Sequence, residues 1–124
     1  MARSEAYDRH PEHALRFEDA PAAIRVYVGD ALVAETRRGL TLRESRSLPV
    51  VYVPREDVRM DRLDRVAHTT HCPFKGDATY FDVIGDARSE KVAWSYEDPF
   101  DQMEALRDHL AFYPDRARVE PLEG

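Results

Sequence analysis

The sequence predicts a small α+β domain dominated by β-structure, its mainly antiparallel sheet curled into a roll or open barrel. Three observations carry this. Short runs rich in β-branched, aromatic and leucine residues recur at 24–28, 32–36, 40–43, 50–53, 78–84 and 91–95, set off by turn residues, chiefly Gly or Pro. The runs lie too close together for parallel crossovers, which need a dozen or more connecting residues. Only two stretches read as helical, a short one near 57–66 and an amphipathic one towards the C-terminus.

The elements follow in order. Residues 1–21 are polar, with charges of both signs and no sustained period, and read as a loose N-terminal tail. Residues 22–124 read as one domain. Its first two strands flank Gly29-Asp30, a hairpin signal. Arg37-Arg38-Gly39 reads as a second turn before the alternating run at 40–43. Val50-Val-Tyr-Val53 is a strand that stops at Pro54. The spacing of Val58, Leu63 and Val66 suggests a short helix.

A basic turn follows, Thr70-His-Cys-Pro-Phe-Lys-Gly76, in which Pro73 fixes φ and Gly76 permits φ > 0. It feeds the aromatic strand at 78–84. Gly85-Asp86 turns the chain into the strand at 91–95. Asp98-Pro99 has the form of a helix start, and Phe100, Met103, Leu106 and Leu110 recur at helical spacing. Residues 112–115 read as a strand end and turn, and 116–119 as a last short strand.

Composition bounds function. The chain has 124 residues, 43% of them hydrophobic, enough for one core. A net charge of −6 with 34% charged residues argues against nonspecific nucleic-acid binding. The single cysteine, Cys72, excludes an internal disulfide and a zinc site built on cysteine pairs, and fits a cytoplasmic setting. The N-terminus has no apolar signal region, and no run approaches the ~20 apolar residues of a membrane span. No metal or cofactor is expected. An exposed sheet edge would suit a homodimer.

Four motifs occur in order: Val-Pro-Arg-Glu-Asp-Val at 53–58, Cys-Pro-Phe-Lys-Gly at 72–76, Ala-Trp-Ser-Tyr at 93–96 and Ala-Phe-Tyr-Pro-Asp-Arg at 111–116. Together they resemble domain-of-unknown-function family 427, small bacterial and fungal proteins, over about 24–119. The resemblance implies a compact, mostly β, soluble bacterial domain. Some family members are labelled nucleotidyltransferase-like. This chain has neither a Gly-rich phosphate loop nor a convincing acidic triad to hold Mg²⁺.

The candidate site residues are Arg55, Lys75, Trp94, Tyr96 and Tyr113. Arg55 and Lys75 would offer positive charge to an anion, and the aromatics would wall a pocket for a planar ligand. The plainer readings are a salt bridge for Arg55, a solvated turn lysine for Lys75 and core packing for the rings. Tyr80 reads as core. Cys72 and Lys75 are the weaker candidates for covalent chemistry, since His71, adjacent on an extended chain, points away from Cys72. His68, His71 and Cys72 fall short of a four-ligand metal pattern. The sequence therefore favours a binding module for a small anionic or planar ligand in a cleft lined by Arg55, Lys75 and Trp94. An enzyme using Cys72 or Lys75, or a protein-interaction domain, is the alternative.

Overall fold

The structure, a computed structural model, describes residues 2–122. Among the described residues, nine strands form one antiparallel sheet: β1 (Leu15–Phe17), β2 (Ala22–Val28), β3 (Ala31–Glu44), β4 (Val50–Pro54), β5 (Leu63–Cys72), β6 (Gly76–Ile84), β7 (Arg88–Ser95), β8 (His109–Phe112) and β9 (Arg118–Pro121). The order is β5-β6-β7-β8-β4-β3-β2-β9, with β1 paired to β3 beside β2. The sheet is not closed, and its helices are few and short.

The β2–β3 hairpin turns where expected, at Gly29, whose φ of 59° suits a residue without Cβ. The second turn at Arg37-Arg38-Gly39 does not occur. β3 runs straight through it for 14 residues, pairing first with β2 and then with β4. Gly39 serves close approach instead: a Cβ there would sit 2.8 Å from Val51 Cγ1 and 3.0 Å from the Ala22 carbonyl.

Both helix expectations are corrected. Around 57–66 the chain makes two 3-10 turns, Arg55–Asp57 and Met60–Arg62, and is already strand from Leu63. β5 is a mostly exposed edge strand, so it carries charge and histidine where a buried strand would show alternation. The C-terminal amphipathic helix is a six-residue 3-10 segment, Asp101–Leu106, broken at Met103 (φ −118°, ψ 25°). The three-residue spacing of Phe100, Met103 and Leu106 serves a 3-10 turn equally well. Leu110 lies beyond it in β8, opposite Val53.

Alternation along the strands divides the side chains between two clusters. Val53, Phe81, Ala93, Leu110 and Phe112 join Val26, Val33, Val83 and Val92 in the main core, so strands distant in the sheet order share one interior and the sheet curls. Their neighbours Tyr52, Tyr80, Trp94 and Ala111 face the other way, into a second cluster with Leu42, Tyr96, Met103 and Leu106.

The N-terminal segment expected to be loose lies against the body. Ser4 is buried; its hydroxyl donates to the Pro73 carbonyl at 2.5 Å and its backbone exchanges hydrogen bonds with the Gln102 amide. Tyr7 donates to the Phe74 carbonyl at 2.7 Å, and His13 stacks on the Phe74 ring at 4.3 Å. No helix among the described residues is long and apolar enough to cross a membrane.

Candidate functional site

The second cluster opens into a cleft of about 200 Å³. Its position follows from register. Trp94 on β7 lies opposite Tyr80 on β6 and Ala111 on β8, and the small alanine leaves room for the indole. Trp94 and Tyr96 share a face because they are two apart on an extended chain. Tyr52 meets Trp94 edge to face at 6.2 Å, and Tyr113 packs on Trp94 at 4.4 Å. Tyr80 runs parallel to Tyr113 at 6.5 Å and hydrogen-bonds to Thr70 at 2.9 Å.

Lys75 enters this aromatic box from the β5–β6 turn. The turn is fixed from two sides: Cys72 pairs with Gly76, and Phe100 N–H donates to the Lys75 carbonyl at 3.0 Å. Gly76 has φ 121°, and a Cβ there would come within 3.3 Å of the 98–99 backbone, so glycine is required. Lys75 is only 9% exposed. Its Nζ donates to Glu44 Oε1 at 2.6 Å and sits 5.9 Å from the centre of the Tyr96 ring, within cation–π range. The other carboxylate oxygen, Glu44 Oε2, meets His13 Nε2 at 2.7 Å.

The electrostatics follow from this packing. Burial pushes Glu44 up, but the hydrogen bonds from Lys75 and His13 outweigh it, leaving the carboxylate below its ordinary value. Burial raises Tyr52 and Tyr96 well above the ordinary phenol range and Tyr113 to about 12. These phenols stay protonated and uncharged at neutral pH.

Four of the five expected ligand-binding residues, Lys75, Trp94, Tyr96 and Tyr113, line this cleft. Arg55 does not. It lies in a separate shallow depression beside Arg38, Pro54 and His109, with its guanidinium 3.0 Å from Glu97, which also pairs with Arg65. Tyr80, read as core, lines the cleft, as do Tyr52, Glu44 and Leu48. Tyr52 was legible in the alternation of Val-Val-Tyr-Val. Nothing local marked Glu44, which reaches Lys75 only because β3 runs past Gly39 unbroken. Cys72 is half-buried with Sγ 4.0 Å from Lys75 Nζ. His71 turns instead to Asp77 at 2.7 Å, and His68 rests on Tyr80. Among the described residues, no three His, Cys, Asp or Glu side chains are grouped to hold a metal ion.

The sequence profile of a family described as a domain of unknown function (DUF427) matches residues 16–122. The chain belongs to the DUF427 family. A search of the curated proteins finds no match. The matched segment contains every residue that lines the cleft. His13, which holds the second oxygen of Glu44, precedes it in this DUF427 member.

Proposed function

We propose that the domain is a binding module for a small planar ligand bearing a carboxylate or another hydrogen-bond acceptor. The observation that carries this is the nearly buried Lys75, its ammonium 5.9 Å from the Tyr96 ring, in one cleft with Trp94 and Tyr113. An ammonium has three N–H donors; Glu44 takes one and the Cys72 sulfur, at 4.0 Å, a second, which leaves one for a ligand. Both Glu44 oxygens already have partners. What the cleft offers a ligand is the Lys75 ammonium between aromatic walls suited to a flat ring. Arg55 plays no part in this reading.

A thermal-shift screen of aromatic carboxylates, sugar phosphates and nucleotides tests it. Planar acceptors should raise Tm in a concentration-dependent way, by mass action on the folded state. A shift with sugar phosphates alone, unaffected by Lys75→Met, would overturn it.

One observation favours a second reading, covalent chemistry at Cys72: the 4.0 Å approach of Lys75 Nζ, a cation beside a half-buried thiol being a common setting of reactive cysteines. Rapid stoichiometric alkylation of the native thiol, slowed in Lys75→Met, would support that reading over simple binding.

A further inference from the structure

A second depression adjoins the cleft, lined by apolar residues. It holds about 280 Å³ between Ile24, Val26, Val51, Phe112, Pro114 and Val119, and shares Leu48, Val50 and Trp94 with the Lys75 cleft. Trp94 thus borders both spaces. Leu48 and Val119, the exposed large hydrophobics among the described residues, at 83% and 41%, both border this groove. Exposed apolar side chains scattered singly need no explanation, but two on the rim of one apolar groove mark a surface built for apolar contact. Leu48 lies in the polar β3–β4 connection, where neither turn geometry nor the core calls for leucine.

Size points the same way. Each space alone falls below the roughly 300 Å³ at which small-molecule pockets usually begin, and the two joined exceed it. We infer that the ligand is amphipathic: an anionic or acceptor-bearing planar head at Lys75, and an aliphatic or aromatic tail passing Trp94 into the groove between Leu48 and Val119. This rests on the binding reading above and adds the chemical class of the ligand's far end. The occupant is a small molecule because the two adjoining spaces together have the volume of one small-molecule pocket and the groove leads to the nearly buried Lys75.

The probe is a homologous series, benzoate and 4-alkylbenzoates from methyl to butyl, titrated calorimetrically into the full chain. Affinity should rise about fourfold per methylene as the tail enters the groove, with a heat-capacity change that grows more negative with tail length. Val119→Asp and Leu48→Asp, both at exposed positions, should flatten this increment, and Val119→Asp, which borders the groove but not the Lys75 cleft, should leave benzoate itself unchanged. Lys75→Met should weaken every member alike. Benzoate binding with no tail-length gain, or a gain untouched by both aspartate variants, would overturn the inference and leave the head-group reading standing. No binding by any member would overturn both.

Discussion

Lys75 Nζ lies 2.6 Å from Glu44 Oε1, joining the β5–β6 turn to the far end of β3 across 31 residues of sequence. Both side chains are mostly shielded from water, at 11% and 19% exposure. Removing one partner leaves the other charge desolvated, so Lys75→Met or Glu44→Gln alone should cost about 1–3 kcal/mol. The double variant should recover part of that loss, with a coupling of roughly 0.5–3 kcal/mol in urea unfolding. Strict additivity would mean that the pair contributes nothing.

Acid should unfold the protein through this carboxylate among others. Glu44 is held below its ordinary 4.5 because the Lys75 and His13 hydrogen bonds outweigh burial, and Glu97 is lowered chiefly by Arg65, with Arg55 adding. A depressed folded pKa contributes stability that is present above the unfolded value and lost as pH falls through the folded one. Stability should therefore hold down to about pH 4.5 and decline below it. His13→Ala should move the Glu44 titration upward, read by carboxyl carbon NMR; an unmoved titration would remove His13 from the site.

Gly39→Ala is expected to destabilise by about 1–3 kcal/mol, the usual cost of overpacking. The new methyl would meet Val51 and the Ala22 carbonyl, where β2, β3 and β4 converge. Wild-type unfolding midpoints for Gly39→Ala would show that β3 can bend away at no cost.

Phe74 is enclosed by Tyr7 and His13, and the Tyr7 phenol, raised to about 12 chiefly by burial, donates to the Phe74 carbonyl. Tyr7→Phe should lower stability by about 0.5–1.5 kcal/mol, the net worth of one hydrogen bond. It should also speed amide exchange in the 70–76 turn, since the N-terminal segment is docked there.

Cys72→Ala should leave ligand affinity unchanged and cost some stability, because Cys72 packs against the second cluster without lining the cleft. Lost binding in this variant would bring the thiol into the site.

How much of this was legible in the sequence depended on range. Strands with a buried face announced themselves by alternation, as did the Gly29 turn. β5 did not, because an exposed edge strand has no buried face to alternate. The 3-10 segment at Asp101–Leu106 imitated a helix because spacings of three fit both. Trp94, Tyr96 and the Lys75 turn could be singled out from local chemistry. The separation of Arg55 from them, and the arrival of Glu44 and His13 beside Lys75, depend on strand order and on the docking of the N-terminal segment, which no local pattern encodes.

Trp94 is the only tryptophan in the chain and stands between the Lys75 cleft and the apolar groove, so its fluorescence reports on both. Benzoate titrated into the wild type should give a saturable change in Trp94 emission, weakened at least tenfold in Lys75→Met, the size expected from losing one charge-assisted hydrogen bond of about 1.5 kcal/mol or more. A flat response in the wild type, or an identical curve in Lys75→Met, would contradict a planar-acceptor site built on Lys75 and Trp94.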